Sequence, residues 1–214
     1  MINIQTFTFN PFQENTYLLF DETKEAIIID PGCSDRDEEE QIKSFITNNG
    51  LVLTKLINTH CHVDHVLGNY FIKDHYKVPL IIHKYDEPVL KSVKVYAPSY
   101  GFYNYQEAIP DHYIEEGQII QFGNSKLEIL FVPGHAPGHI ALYNREQNFC
   151  ISGDVLFYRS IGRTDLPGGN FDILIQSIHR KLFKLPDNLI IYPGHGPETT
   201  IGEEKLYNPF CAIG

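Results

Sequence analysis

Residues His60–His65 place three histidines and one aspartate within six consecutive positions, and this cluster constrains the fold more than any other feature. The cluster follows Leu51–Thr54, an apolar and β-branched stretch that predicts a buried strand. His60 and His62 are two residues apart, so an extended chain that leaves this strand points both side chains to the same side. We therefore expect the first two histidines to act together.

The last two polar side chains of the cluster are expected to point in another direction, because of the residues that follow them. Val66–Tyr76 has apolar residues at helical spacing, which predicts a helix. Asp64 and His65 would lie at the start of this helix and point differently from the first pair of histidines. One short loop can in this way serve two adjacent metal ions.

Three further apolar strands each run into a turn that is rich in glycine or proline and carries one residue able to bind a metal. Ligands on loops at strand ends, held by a rigid sheet, are a common way to build a site. The strands and their ligand-type residues are 127–132 with His135, 149–152 with Asp154, and 189–192 with His195.

The remaining pattern predicts an α/β chain with one domain over residues 1–214. Short strands are expected near 2–9, 16–20 and 26–30, followed by a helix over 34–49 with Ser34 as its N-cap. Further strands are expected near 79–83, 118–122, 126–132, 140–144 and 148–152. A last helix is expected over 171–185, so the strands fall into two groups with flanking helices.

Seven stretches of the sequence, in order along the chain, resemble the metallo-β-lactamase superfamily, and within it the short glyoxalase II-like (hydroxyacylglutathione hydrolase-like) hydrolases. The resemblance implies a four-layer αββα sandwich. The matching stretches are Asn15–Leu19, Ile29–Gly32, Thr59–His65, Pro133–His135, Ser152–Asp154, Gly162–Asp165 and Tyr192–Pro197.

The resemblance also implies a site for two divalent metal ions. Zinc is the expected metal, with iron or manganese as alternatives, because imidazole and carboxylate ligands suit all three. Asp30 resembles a buried acid that orients the histidine loop; its other interpretation is an aspartate that forms a turn. His139 is a candidate for a similar supporting role. The implied ligands are His60, His62 and His135 on the first ion, Asp64, His65 and His195 on the second, and Asp154 between them.

The implied reaction is hydrolysis of a thioester such as S-lactoylglutathione by a hydroxide that bridges the metals, with Asp64 as the residue that orients it. Arg163 is a candidate for holding a substrate carboxylate, or alternatively a structural partner of Asp165. Lys205 is the single basic residue after His195, so a thiol carrier other than glutathione is an open alternative. Glutathione contacts of the larger glyoxalase II enzymes come from a C-terminal domain that we do not expect here.

Three alternative functions share these residues. A persulfide dioxygenase also carries the Gly-Arg-Thr-Asp segment of residues 162–165 but uses one iron ion. A lactonase or phosphodiesterase could use the same metals. A metal-binding or regulatory module without turnover is the alternative outside enzymes, and it predicts tight metal binding with no rate on any acyl substrate.

Composition sets further expectations. The net charge of −10 argues against nucleic acid as a partner, and no apolar run is long enough for a membrane span. The N-terminus lacks the pattern of a signal peptide, and the four scattered cysteines are expected to be reduced thiols, which favours the cytoplasm. The expected partner is a small thioester; the oligomeric state is left open by the sequence.

The segment 95–105 contains five aromatic residues together with proline and glycine. It predicts a loop or a loosely helical insertion. Its functional interpretation is an apolar wall for the substrate near the metals. The alternative is a packed surface loop or a contact between copies of the chain.

Overall fold

A computed structural model describes residues 1–213 and contains two larger sheets and one short hairpin in this part of the chain. The chain divides into two compact units, residues 1–114 with 121–126, and residues 115–120 with 127 onward. The prediction of one domain over residues 1–214 stays a prediction. The elements are β1 Asn3–Phe9, β2 Glu14–Phe20, β3 Glu25–Ile29, α1 Arg36–Asn48, β4 Val52–Ile57, α2 Val63–Val66, α3 Asn69–Tyr76, β5 Leu80–Ile82, α4 Glu87–Tyr96, β6 His112–Tyr113, β7 Ile119–Phe122, β8 Ser125–Phe131, β9 Ile140–Asn144, β10 Phe149–Gly153, β11 Leu156–Phe157, β12 Ser160–Ile161, α5 Phe171–Arg180, β13 Ile190–Pro193, β14 Thr199–Thr200 and α6 Ile201–Tyr207.

The sheet of the first unit has the strand order β1-β2-β3-β4-β5-β6. Its first three strands are antiparallel, and the pairs from β3 to β6 are parallel. One face of the sheet packs with residues of α1 to α4 in a single apolar cluster, to which Ile28, Ile42 and Leu90 belong. The alternate residues Ile27 and Ile29 are also buried. Burial on both faces explains why β3 is apolar throughout.

The second sheet has the order β14-β13-β10-β9-β8-β7. Strands β10 and β13 are parallel, and β9 is antiparallel to both of its neighbours. The apolar cluster of the second unit joins this sheet to α5 and α6 through residues such as Cys150, Leu174 and Ile201. Each unit therefore has its own helix-covered core.

The topology places the carboxyl ends of several strands at one edge of each sheet. In the first sheet, the parallel strands β3, β4 and β5 end just before Asp30, His60 and Asp86 respectively. In the second sheet, β10 and β13 are parallel and end just before Asp154 and His195. Side chains at the carboxyl ends of parallel strands meet at the same edge, which is where open α/β sheets build sites.

Three predicted helix boundaries were wrong. The helix expected over 66–76 is interrupted at Gly68, whose N–H donates to the carbonyl of Pro31 at 2.8 Å, so the chain forms α2 and α3 instead. The N-cap of α1 is Asp35, which accepts from the N–H of Glu38 at 2.9 Å, and not Ser34. The last long helix ends at residue 180, five residues early, and Pro186 follows a residue with extended backbone.

No helix in the described residues is both long and apolar enough to cross a membrane.

Candidate metal site

The histidine loop is fixed to the end of the neighbouring strand by Asp30. One carboxylate oxygen of Asp30 accepts from the N–H of Thr59 at 2.6 Å, and the other accepts from the Thr59 hydroxyl at 2.5 Å. Asp30 is buried and has a φ of 49°, the left-handed conformation that aspartate tolerates better than most residues. These contacts support the interpretation that Asp30 orients the histidine loop, rather than the interpretation that it only forms a turn.

Asp30 also determines how His65 presents its ring. The Nδ1 atom of His65 lies 3.2 Å from a carboxylate oxygen of Asp30, so Nδ1 carries the proton that faces this acceptor. The Nε2 atom then has its lone pair available, and it lies 3.7 Å from a carboxylate oxygen of Asp64. His65 is fully buried and Asp64 is half-buried. This pair can offer one nitrogen and one oxygen to the same cation.

The two other histidines of the loop lie beside His65. The ring centroids of His60 and His62 are 4.8 Å apart, and those of His60 and His65 are 4.1 Å apart. One ligand atom from each of Asp30, His60 and His65 lies within 4.8 Å of the others. The first unit thus brings together all four ligand-type residues that the sequence predicts in this loop.

Cys61 lies between two of these histidines but belongs to the apolar core of the first unit. Burial raises the pKa of its thiol well above the ordinary value. Its N–H donates to the carboxylate of Asp86 at 2.6 Å. All four cysteines are free and buried.

Asp86 and Asn10 support the loop, and sequence reasoning missed both. Asp86 is fully buried and holds the backbone between the first two histidines. The Asn10 amide donates to the carbonyls of Asp64 at 3.1 Å and Gly32 at 3.0 Å. The position of Asp86 just after a third parallel strand is a signal that could have found it. Nothing local in the sequence identifies Asn10.

Glu14 is a fully buried acid next to this cluster. One of its carboxyl oxygens lies 3.8 Å from His65 Nδ1 and has no hydrogen-bond partner among the described residues. Burial raises the pKa of Glu14 well above its usual range. Thr16 Oγ1 lies 2.9 Å from both Glu14 Oε2 and the Asp30 carbonyl. A hydroxyl has one proton, so a protonated Glu14 that donates to Thr16 satisfies both contacts.

The second unit brings together the three other ligand-type residues. Two imidazole nitrogens converge on one carboxylate oxygen of Asp154, with His135 Nε2 at 3.6 Å and His195 Nε2 at 3.5 Å. Asp154 and His135 are buried, and the side chain of His195 is 27% exposed. His135 Nδ1 donates to the carbonyl of Arg163 at 2.7 Å, which leaves the lone pair on Nε2.

His139 and Gly162 hold Asp154 in place. The N–H of Asp154 donates to His139 Nε2 at 3.0 Å, and His139 is completely buried, so its contact fits the supporting role considered for this histidine, which stays a prediction. A Cβ atom on Gly162 would come within 1.9 Å of the Asp154 carbonyl oxygen and 3.0 Å of His135 Nδ1. Only a glycine allows the chain to pass this close to both residues.

Arg163 has an exposed guanidinium that forms two hydrogen bonds of 2.7 Å with the carboxylate of Asp165. The hydrogen bonds from Arg163 lower the pKa of Asp165 to about 2. The Arg163 side chain is therefore paired with Asp165, as expected if its role is structural. The carbonyl of Arg163 also holds His135. The role of Arg163 as a substrate contact stays a prediction.

The aromatic segment is more helical than expected. Residues up to Tyr96 form α4, and a short 3-10 turn covers Ala97–Tyr100. Tyr96, Phe102 and Tyr105 are half-buried against the core of the first unit, whereas Tyr100 is 49% exposed. The segment is thus partly core and partly surface.

The donor separations in each unit fit a bound metal better than direct hydrogen bonds. The three nitrogen–oxygen distances of 3.5, 3.6 and 3.7 Å exceed the length of an ordinary N–H···O hydrogen bond. A tetrahedral zinc with ligands at about 2.0–2.1 Å holds neighbouring ligand atoms about 3.4 Å apart. The donor set, imidazole nitrogens with carboxylate oxygens, is also one that binds zinc, iron or manganese. The residues present therefore fit divalent cations.

Comparison with known proteins identifies the family of the chain. The sequence profile of the Metallo-beta-lactamase superfamily matches residues 9–195. Hydroxyacylglutathione hydrolase GloC of Haemophilus influenzae is 40% identical over 98% of this chain and 98% of its own length. The mitochondrial persulfide dioxygenase ETHE1 of Bos taurus is 35% identical over 91% of this chain and 70% of its own length.

Solved structures show the same fold. The crystal structure of the B3 metallo-beta-lactamase BLEG-1 matches with a TM-score of 0.87 and 32% identity, over 99% of this chain and 100% of its own. The crystal structure of TTHA1623 in a di-iron-bound form matches with a TM-score of 0.86 and 35% identity, over 96% of this chain and 99% of its own. The metallo-β-lactamase type of α/β fold is confirmed by these neighbours.

Proposed function

Because the chain belongs to the metallo-β-lactamase superfamily, we propose that it is a metal-dependent hydrolase that cleaves a thioester at a binuclear metal site. The observation that carries the proposal is the convergence of His135 and His195 on one oxygen of Asp154. A carboxylate oxygen that two imidazole nitrogens both approach is suited to lie between two cations and to offset their repulsion. The superfamily as a whole binds divalent metal ions and consists mainly of hydrolases.

The proposed allocation of ligands follows the family resemblance. One feature of the first unit supports it. His65 Nε2 lies 3.7 Å from a carboxylate oxygen of Asp64, a separation that two ligands of one ion can have. Zinc is the proposed metal, with iron or manganese as alternatives, and the di-iron form of TTHA1623 keeps iron in consideration. The first ion would be held by His60, His62 and His135, the second by Asp64, His65 and His195, and both by Asp154.

Bound ions would supply a hydroxide at neutral pH and polarise the acyl carbonyl. The residues of the chain have three tasks around that chemistry. Asp64 is half-buried, so one of its carboxylate oxygens can accept the proton of a water and orient the oxygen that attacks the acyl carbon. Asp30 and the Arg163 carbonyl keep the Nδ1 proton on His65 and His135, which leaves their Nε2 atoms to face the site. In the overall reaction a C–O bond forms, the C–S bond breaks, and the thiolate takes up a proton.

The proposed substrate class is an acyl thioester such as S-lactoylglutathione. The hydroxyacylglutathione hydrolase name belongs to the Haemophilus influenzae relative, and its near-complete coverage of this chain supports the transfer. Arg163 is the proposed contact for a substrate carboxylate. Its guanidinium would have to exchange Asp165 for the substrate, which is feasible because both side chains are exposed and such pairs contribute little to stability.

A persulfide dioxygenase is the second candidate, favoured by the ETHE1 relative at 35% identity. A lactonase and a non-catalytic metal-binding protein stay as further alternatives. The two main candidates differ in metal content, because the dioxygenase uses a single iron ion. They also differ in the need for oxygen, which hydrolysis does not consume.

The test is the kcat/KM for S-D-lactoylglutathione on protein whose metals are counted in the same preparation. A value above about 10⁴ M⁻¹s⁻¹ with two metals per chain is the expected result, since this is the range of enzymes on a proper substrate. A negligible rate with two metals would move the search to other thioesters and lactones. A negligible rate with one iron, together with oxygen uptake on glutathione persulfide, would replace the hydrolase with the dioxygenase.

A further inference from the structure

A surface of four aromatic rings lies beside the histidine loop in the first unit. The rings belong to Phe12, in the turn between β1 and β2, and to Tyr96, Tyr100 and Phe102, at and after the end of α4. Phe12 contacts Tyr100 with ring centroids 5.6 Å apart and Phe102 at 6.1 Å. Tyr100 in turn contacts Tyr96 at 6.0 Å. These four residues are called the aromatic arc below.

Asn10 connects one end of the arc to the histidine loop. Its side-chain oxygen accepts from the N–H of Phe12 at 2.9 Å, and its amide donates to the carbonyl of Asp64 at 3.1 Å. One side chain therefore links the backbone of the turn that carries Phe12 to the backbone of Asp64, the second residue of α2.

The other end of the arc reaches the same loop through the packing of α4. Val93 and Tyr96 on α4 belong to the apolar cluster that contains Val63 and Val66 of α2. Asp64 lies between these two valines. Burial raises the pKa of the Tyr96 phenol, and the charge of Asp64 adds to the shift, which agrees with this proximity. Both ends of the arc are thus connected to the loop that contains Asp64.

Two properties of the arc indicate what it contacts. Phe12 is 40% exposed and Tyr100 is 49% exposed, so these two rings are open to solvent, whereas Tyr96 and Phe102 are half-buried against the core. The stretches that supply the rings, residues 9–20 and 96–105, contain no lysine or arginine. A thiol carrier with carboxylates, such as glutathione, finds no cation on these stretches, whereas an apolar group gains contact area on the exposed rings.

We propose that the aromatic arc binds the acyl chain of apolar thioester substrates, such as a medium-length alkyl or aryl acyl chain, so that the site accepts these groups as well as the short lactoyl group. The inference rests on the proposed function, and it deepens that function by naming the class of acyl group. Its physical basis is the continuity of the arc with Asp64, the residue proposed to orient the attacking oxygen. The scissile carbonyl lies at the metals in this arrangement, and the apolar tail extends from it along the rings.

The test compares kcat/KM for acetyl, butanoyl, hexanoyl and octanoyl thioesters of one small uncharged thiol, N-acetylcysteamine. The wild type is expected to gain about threefold per added methylene while the chain remains on the arc. Phe12→Ala and Tyr100→Ala are each expected to lower the octanoyl-to-acetyl ratio of kcat/KM at least about tenfold. Tyr103→Ala is the matched control, because Tyr103 lies in the same segment, is 79% exposed and is not part of the arc. Its ratio should equal that of the wild type.

A second measurement separates this inference from the proposed function. Binding of the non-hydrolysable thioether S-octyl-N-acetylcysteamine is measured by calorimetry on the same proteins. Binding that weakens in Phe12→Ala but not in Tyr103→Ala, without turnover of any thioester, would refute the hydrolase and keep the apolar site. Thioether binding and chain-length ratios that are the same in all variants would overturn the inference. A change of sedimentation in Phe12→Ala with an unchanged ratio would overturn it too, since the arc would then be a contact between copies.

Discussion

The contacts of Asp30 lead to a prediction in which the effect on stability and the effect on metal binding can be separated. Its carboxylate accepts from the N–H of Thr59, from the Thr59 hydroxyl and from His65 Nδ1. Asp30→Asn keeps the shape of the side chain but replaces one acceptor oxygen with an NH₂ donor. The amide can still accept from Thr59 N–H and can donate to the Thr59 hydroxyl, whereas its NH₂ group faces the Nδ1 proton of His65.

The cost can be estimated from these bonds. A hydrogen bond to a charged group contributes about 1.5–3 kcal/mol, and one between neutral groups about 0.5–1.5 kcal/mol. Weakening the Thr59 bond and losing the His65 bond therefore costs about 2–4 kcal/mol. This is well below the total stability of an ordinary domain, about 5–15 kcal/mol, so the variant should still fold. Because His65 loses the partner that fixes its tautomer, metal affinity should fall about 10- to 100-fold.

Asp21→Asn is the matched control. Asp21 is as buried as Asp30, and its carboxylate accepts from Thr23, Asn124 and Ser125 in the same unit, with none of the predicted metal ligands among these partners. Burial alone would raise the pKa of Asp21, but these hydrogen bonds outweigh it and lower the pKa. Both variants should lose similar stability in urea unfolding of metal-free protein, and only Asp30→Asn should lose zinc affinity in a competition titration with a chelator. Unchanged zinc affinity in Asp30→Asn, or an equal loss in Asp21→Asn, would refute the reasoning.

Three other changes probe the two units. Asp154→Asn should lower metal content from two ions to one and reduce kcat by orders of magnitude, because the oxygen between the two imidazoles loses its charge; an unchanged metal count and rate would remove the bridging role. Arg163→Ala should raise KM for lactoylglutathione more than it lowers kcat, and an unaltered KM would leave Arg163 as the structural partner of Asp165. Because the pKa of Glu14 is raised, folding favours the protonated carboxyl. Its contribution to stability is complete below about pH 4.3, the pKa of Glu14 in the unfolded chain, and is lost as the pH rises toward its pKa in the folded protein. In metal-free protein, the stability of Glu14→Gln relative to the wild type should therefore rise between pH 5 and pH 8. The control is Glu204→Gln, because Glu204 is equally buried but fully hydrogen-bonded, and this variant should be less stable than the wild type at both pH values. A parallel pH dependence of the wild type and Glu14→Gln would contradict the raised pKa of Glu14.

The sequence could predict the ligand-type residues because their signals are local. His60 and His62 alternate along an extended chain, and the turns that carry His135 and His195 each follow an apolar strand directly. The structure gives each of these residues the neighbours that a ligand needs within its own unit. Which residues together hold which ion stays a proposal, since that grouping came from the family resemblance.

The supporting residues could not be predicted, because their partners are distant in sequence. Asp86 contacts Cys61 only because β5 is placed next to β4, and the order of strands in a sheet is not written in any local pattern. The bridge from Asn10 to Asp64 spans 54 positions. The break at Gly68 likewise depends on Pro31, which approaches its N–H from another part of the unit. Local periodicity alone predicted a continuous helix there.

The residues that support the metal loop and the residues of the aromatic arc lie in different parts of the fold, and this affects how metal binding and substrate range can vary. The supporting acids Asp30 and Asp86 are buried at the carboxyl ends of parallel strands, and each accepts from the backbone of the histidine loop, so a change there costs both stability and affinity for metal. Phe12 and Tyr100 instead lie in a turn and a short 3-10 segment and are exposed, where substitutions usually change stability by less than about 0.5 kcal/mol. The aromatic arc can therefore change its preferred acyl group without disturbing the ligands. If Phe12→Ala and Tyr100→Ala unfold in urea like the wild type and bind zinc equally well, specificity and metal binding are separable in this fold; a joint loss would show that the arc is part of the support of the metal loop.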